Sequence, residues 1–142
     1  MVRLHETDPD LLEHRKRIRH SAAHLMADAI TQLFPEVKLG IGPPTEDGFY
    51  YDVEIARPLT PEDLDRITKV MQQTITSNPP FILTTHSRED IKALYHDQPY
   101  KLEVIDGIPP EEVLTSYTHG TFTDLCQGPH VPSAGDIPAF KL

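Results

Sequence analysis

The chain has 142 residues, enough for one domain with a real core, and its 38% hydrophobic and 25% charged content is that of a globular rather than a disordered sequence. Its 22 acidic residues against 13 basic ones exclude a domain that grips nucleic acid by charge alone, since phosphate binding needs clustered Lys and Arg. No apolar run reaches the roughly 18 residues of a membrane span, the N-terminus lacks the apolar core of a signal peptide, and the single cysteine rules out an intrachain disulfide, so the cytoplasm is the expected compartment.

In chain order, Asp10 to about Phe34 reads as a helix. Ile18, Ala22, Leu25, Ala29 and Leu33 recur at helical spacing, and Pro35 ends the run. The basic stretch His14-Arg15-Lys16-Arg17-Ile18-Arg19 reads as a solvated face. His20 and His24, four residues apart, share one face of this helix. At about 100° per residue that face lies opposite the apolar stripe, which places the pair off the core, with small Ala23 and Ala27 beside it.

Val37–Pro43 and Phe49–Ile55 are expected to pair as a hairpin, the second by alternation of Phe49, Tyr51, Val53 and Ile55 with polar residues. Thr60-Pro61-Glu62-Asp63 starts a second helix, with a Thr cap, Pro at the first helical position and acids at the positive end of the dipole. Leu64, Ile67, Met71 and Ile75 form its stripe, and Asn78-Pro79-Pro80 stops it. Phe81–Thr85 is an expected strand, Ser87 opens a short helix to about Tyr95, and Lys101–Ile105 is expected as a strand. Two more strand segments, Ser116–Thr118 and Thr121–Leu125, flank His119-Gly120 and deliver Cys126. Helices mixed with short hairpin-linked strands predict an α+β domain: the long HxxxH helix and further helices packed on a mainly antiparallel sheet.

The second conspicuous stretch is Cys126-Gln127-Gly128-Pro129-His130, where Gly-Pro signals a turn that would bring Cys126 and His130 together. Three imidazoles and a thiol from two distant segments can form one site. Zinc could take His20, His24, Cys126 and His130 tetrahedrally. Without metal, the same groups could relay protons or hold a water for attack on an ester. A zinc-protease helix would need Glu after the first histidine, where Ser21 stands. A papain-like role for Cys126 is disfavoured by Asp124 two residues earlier.

His20-Ser21-Ala22-Ala23-His24-Leu25-Met26, Ile41-Gly42-Pro43, Gly48-Phe49-Tyr50-Tyr51-Asp52 and Thr123-Asp124-Leu125-Cys126-Gln127-Gly128-Pro129-His130-Val131-Pro132 together resemble the editing domain of bacterial-type threonyl-tRNA synthetase. Alanyl-type editing domains share HxxxH and CxxxH but carry Gly-Gly-Thr-His after the cysteine, where this chain has Gln-Gly-Pro-His. The resemblance covers residues 18–142, with residues 1–17 as lead-in and helix start. It implies hydrolysis of seryl-tRNA(Thr). Serine lacks one methyl of threonine, worth roughly 1–3 kcal/mol of discrimination, so a second site that excludes the larger amino acid is needed.

By the same resemblance, His20, His24 and Lys101 position or activate the water, while Cys126, His130 and Asp124 shape the aminoacyl pocket. Asp124 would bind the substrate's amino group or hydroxyl, and Tyr100 would stack on the terminal adenosine or simply pack. Alanyl-type domains hold zinc at the four positions, whereas the threonyl type implies a metal-free site that could still pick up zinc. The implied partners are the 3′ end of tRNA(Thr) carrying serine and the remainder of a synthetase chain, with no membrane. The class II catalytic motifs lie outside this sequence, so it is expected as an excised domain rather than a freestanding editor in trans. Two other readings stay open: an alanyl-type trans-editing deacylase, and a non-enzymatic zinc-stabilised tRNA-binding module.

Overall fold

A computed structural model describes residues 9–43 and 45–142; the first eight residues of the lead-in lie outside that range. Helix α1, Pro9–Leu33, is the centre of the domain. From Ser21 to Ile30 every residue except Met26 is buried, including His24 and Asp28. This corrects the expectation that the histidine face points away from the core. One side of α1 packs on α2 (Pro61–Ser77) through Leu25, Ala29, Ile67 and Met71, but the histidine side is covered as well, by strands and by the Cys126–His130 loop. A helix enclosed all round needs small residues, and Ala22, Ala23, Ala27 and Ala29 supply them. The exposed N-terminal stretch carries Arg15, Lys16 and Arg17 into solvent.

Strands β1 (Lys38–Leu39) and β2 (Val53–Glu54) pair antiparallel in the expected hairpin, which Gly40 and Asp52 extend by backbone hydrogen bonds. Helix α2 starts on the predicted cap: Thr60 Oγ1 accepts from the Asp63 amide, and Asp63 Oδ2 accepts from the Thr60 amide. It ends at Asn78 in the left-handed region.

Strand β3 (Ile82–His86), β4 (Leu114–His119) and β5 (Phe122–Leu125) form a separate three-stranded antiparallel sheet in the order β3-β4-β5. The turn between β4 and β5 is made at Gly120, whose φ of +56° favours glycine. Among the described residues, two antiparallel sheets and four α-helices give the α+β class that the pattern predicted. Helix α3, Arg88–Leu94, is capped by Ser87.

One element departs from expectation. Lys101–Ile105 lies inside a helix, α4, Pro99–Gly107. The apolar residues there fit either period, and short apolar runs do not separate strand from helix. Pro99 at the first helical turn is the local signal for helix. The decisive support is tertiary: Arg88 of α3 donates to the carbonyls of Ile105 and Ile108, which close the C-terminal end of α4. Helical spacing then puts Lys101 and Ile105 on one buried face. Gln98 Oε1 accepts from the Leu39 amide, tying α4 to the hairpin and setting Lys101 beside Tyr51.

Candidate functional site

The site forms where α1, β5, α4 and the hairpin meet, around a cavity of about 310 Å³. His20, His24, Tyr51, Lys101, Asp124, Cys126 and Gly128 are among its lining residues.

β5 brings Cys126 to the end of the sheet, where its amide still donates to Thr115 O at 3.1 Å. The chain then turns at Gly128, φ +74°, followed by a cis Gly128–Pro129 peptide, and returns His130 to the cysteine. A side chain at Gly128 would run into the Tyr117 ring, so both the conformation and the space there call for glycine. Cys126 Sγ lies 3.2 Å from His20 Nε2 and 3.3 Å from His130 Nε2, and accepts the Gly128 amide at 3.2 Å. On the far side of His130, Nδ1 lies 2.9 Å from Ser21 Oγ, which accepts the Val131 amide at 3.0 Å. Ser21, the residue that rules out a zinc-protease helix, thus anchors the returning loop.

A single proton assignment satisfies these contacts. Ser21 gives its proton to His130 Nδ1, His130 gives its Nε2 proton to the sulfur, and the thiol gives its proton to His20 Nε2. The protonation states agree with it. Burial pushes the Cys126 thiol up to about 11, and burial with two neighbouring histidines pushes His130 down to about 3. His20 is also lowered, chiefly by burial. At neutral pH the group is a thiol among neutral imidazoles, not a thiolate–imidazolium pair.

His24 does not join that triangle. Its Nδ1 lies 2.7 Å from His119 Nδ1 and its Nε2 lies 3.2 Å from the Tyr117 carbonyl, so both ring nitrogens are engaged. Among the described residues, the donors that converge as a metal would need them are His20, Cys126 and His130, all within 4.8 Å of one another. They suit a zinc with three protein ligands and an open position rather than the four-ligand set expected from the motifs, and the thiol would have to lose its proton first.

The second half of the site is ionic. Lys101 Nζ lies 2.6 Å from Asp124 Oδ1 and donates to Tyr51 Oη at 2.6 Å, while the Tyr51 hydroxyl donates to Asp124 Oδ2 at 2.6 Å. Lys101 is 1% exposed and Asp124 4%. Asp124 Oδ1 is thus taken up by the Lys101 ammonium and Oδ2 by the Tyr51 hydroxyl. Burial and the Asp124 carboxylate raise the Tyr51 phenol far above its ordinary value, which keeps it a neutral donor.

Tyr100 stands apart. It is exposed, its hydroxyl bonds Glu54, and it lines an adjoining cavity of about 440 Å³ with Asp52, Glu54 and Glu103. The two cavities share Ile41 and Val104.

Sequence reasoning missed Tyr51, Ser21, Tyr117, His119 and Asp28. A signal existed for Asp28, which follows His24 by four residues on the same helix face. None existed for His119, which reads as part of a turn.

Residues 114–142 match the threonyl and alanyl tRNA synthetase second additional domain. The chain is 50% identical over 125 residues to a threonine–tRNA ligase of Dehalococcoides mccartyi, which covers 88% of the chain and 21% of that protein. It is 51% identical over 127 residues to one from Solidesulfovibrio magneticus (88% and 20%) and 48% identical over 125 residues to one from Staphylococcus epidermidis (88% and 19%). The chain thus spans about a fifth of the length of the relatives it matches. Among the described residues no helix is long and apolar enough to cross a membrane. With the two motifs converging on one cavity, the chain is similar over most of its length to one stretch of threonine–tRNA ligases, and its last 29 residues match the second additional domain of threonyl and alanyl tRNA synthetases.

Proposed function

We propose that this domain hydrolyses the ester of seryl-tRNA(Thr), with residues 18–142 carrying the activity. The observation that carries the reading is the shared cavity, which faces neutral imidazoles on one wall and a buried Lys–Asp–Tyr cluster on the other.

His20 is the base. A substrate water replaces the thiol at His20 Nε2 and attacks the ester carbon as His20 takes its proton. The carbonyl oxygen becomes an oxyanion facing the Lys101 ammonium. When the carbon–oxygen bond to the terminal ribose breaks, His20 returns the proton to the departing ribose oxygen, leaving serine and tRNA. Asp124, whose carboxylate is held in the cavity wall by Lys101 and the Tyr51 hydroxyl, takes the serine ammonium or hydroxyl. Cys126 and His130 close the aminoacyl end, and threonine is excluded by its extra methyl. The adjoining cavity beside Tyr100 takes the terminal adenine, stacked on that ring. No metal is required; zinc on His20, Cys126 and His130 would displace the base from this role.

The partners are tRNA(Thr) and the remainder of a synthetase. The test is deacylation of seryl-tRNA(Thr), threonyl-tRNA(Thr) and seryl-tRNA(Ala), each with and without chelator, repeated on seryl-adenosine in case the detached domain holds tRNA weakly. Selective, chelator-insensitive loss of the seryl ester from tRNA(Thr) is expected. Preference for seryl-tRNA(Ala) with chelator sensitivity would favour an alanyl-type deacylase. Silence on every ester, with unfolding on chelation, would leave a zinc-stabilised binding module.

A further inference from the structure

A strongly charged patch on α1 takes no part in the reaction above. Four of the chain's 13 Lys and Arg residues fall within five positions, at Arg15, Lys16, Arg17 and Arg19, in a chain of net charge -9. No acidic residue interrupts them. Arg15, Lys16 and Arg17 are exposed. Among the described residues their one ion pair joins Arg17 to Glu13 at 3.8 Å, between side chains 46% and 48% exposed. Such an exposed pair holds its charges only weakly.

Helical spacing sets this charge beside the cavity. Lys16, His20 and His24 follow one another at intervals of four on one face of α1, and the two histidines line the cavity. Along that face burial falls from buried His24 through half-buried His20 to exposed Lys16. Lys16 therefore stands one turn beyond His20 towards solvent, roughly 6 Å along the axis. The electrostatics agree: His20 is lowered first by burial and further by the Lys16 charge. Arg17 follows on the next position round the helix. The Tyr117 phenol is raised chiefly by burial, and Arg17 is close enough to act against that. Tyr117 meets His130 edge-on, with ring centroids 4.6 Å apart, so Arg17 lies towards the returning loop. Lys16 and Arg17 thus flank the cavity on its α1 side.

The rest of the site does not favour a phosphate. Lys101 is taken up by Asp124 at 2.6 Å, and the adjoining cavity beside Tyr100 is walled by Asp52, Glu54 and Glu103. An RNA strand whose last base lies beside Tyr100 is driven to carry its phosphodiesters away from those carboxylates, and the cations of α1 stand on the other side of the cavity.

We infer that Lys16 and Arg17 form a phosphate clamp for the single-stranded 3′ end of the RNA whose ester enters the cavity. The inference rests on the hydrolytic reading for the identity of that strand. Contacts to phosphate position a strand without reading its bases, so the clamp adds affinity for RNA and leaves the chemistry at the ester unchanged. An acidic domain then needs no broad basic face, only a local one beside its site.

The test compares the wild-type chain with Lys16→Gln/Arg17→Gln and with Arg66→Gln/Lys69→Gln, which removes the same charge from exposed positions on α2. Each is assayed on seryl-tRNA(Thr) and on seryl-adenosine, which carries the ester but no phosphate. Each is also titrated into a labelled single-stranded RNA ending in CCA across a salt series. Two phosphate contacts to a single strand contribute roughly 1.4 to the slope of log affinity against log salt, or about 25-fold between about 1 M and about 0.1 M. The Lys16→Gln/Arg17→Gln variant should therefore bind the RNA about 25-fold more weakly at the lower salt, with its slope reduced by about 1.4. KM for seryl-tRNA(Thr) should rise by a similar factor at unchanged kcat, with seryl-adenosine cleaved within about twofold of wild type. The α2 variant should match wild type in all three measurements. An equal loss on seryl-adenosine, an equal loss in the α2 variant, or wild-type RNA binding by Lys16→Gln/Arg17→Gln would each overturn the inference. The last result would leave the run as a solvated face or a contact to another part of a synthetase. If the wild type cleaves neither ester, the hydrolytic reading fails and the RNA titration alone decides the clamp; a wild-type chain that binds no RNA counts against it.

Discussion

Replacing Lys101 by Met tests whether the buried ammonium is held in place by Asp124. At 2.6 Å, with side chains 1% and 6% exposed, the attraction is roughly 6 kcal/mol at an effective dielectric constant near 20. Desolvation of both ions offsets most of that, so the pair as a whole contributes little net stability. Removing one partner is different, because Asp124 stays buried with only the Tyr51 hydroxyl to satisfy it. Lys101→Met should therefore cost about 3–5 kcal/mol, a large share of the roughly 5–15 kcal/mol that holds a domain of this size together. The double variant Lys101→Met/Asp124→Asn should recover at least about 2 kcal/mol, within the range seen for coupled neighbours. Urea unfolding at pH 7.5, followed by circular dichroism, gives all the values needed. A cost below about 1 kcal/mol for the single variant, or a double variant no more stable than the single, would refute the reasoning. The burial also changes how activity data are read: the motifs suggest that Ala at Lys101 or His24 leaves the fold intact, but both positions are core, and lost hydrolysis counts as chemistry only in a variant shown to be folded.

Three further outcomes are expected. In chelator the domain should lose stability as pH falls, because His20, His24 and His130 all have folded values below their ordinary 6.5, His130 down to about 3. Their neutral forms are those the fold accepts, so this stability is complete above about pH 6.5 and drains towards pH 3, at about 1.4 kcal/mol per pH unit for each histidine within its window; denaturant midpoints at pH 7.5, 6 and 5 should fall in that order, and His130→Gln should flatten the trend. Cys126, raised to about 11 from an ordinary 9.0, should react about 100-fold more slowly with a disulfide reagent at pH 8 than an ordinary thiol, and labelling at the unfolded rate would show that the thiol is not held as described. Gly128→Ala should destabilise by at least about 1–2 kcal/mol from its left-handed backbone alone, with added cost from displacing Tyr117, and a neutral effect on the melting temperature would contradict the turn geometry.

Much of this domain is legible in its residues because the decisive forces there are local. Helical spacing defines α1, the Thr60 cap and Pro61 define the start of α2, and the Gly128-Pro129 signal marks the turn that closes Cys126 on His130. The two motifs, quoted in order, also carry the resemblance to threonyl-tRNA synthetases that the relatives repeat. What the sequence leaves open is settled by contacts across long separations. Lys101–Ile105 fits a strand or a helix by pattern, and it is Arg88, together with the burial of Lys101 and Ile105 on one face, that decides for helix. The histidine face of α1 looks solvent-facing from periodicity alone, because periodicity reports one apolar stripe and cannot see a sheet folding over the other side. The same limit applies inside the site. Spacing puts His20 and His24 on one face, but only the arrival of His119 from β4, 95 residues away, gives His24 a partner of its own and leaves His20 to share the thiol with His130. Which nitrogen carries a proton depends on what lies opposite it, and that is a property of the folded chain.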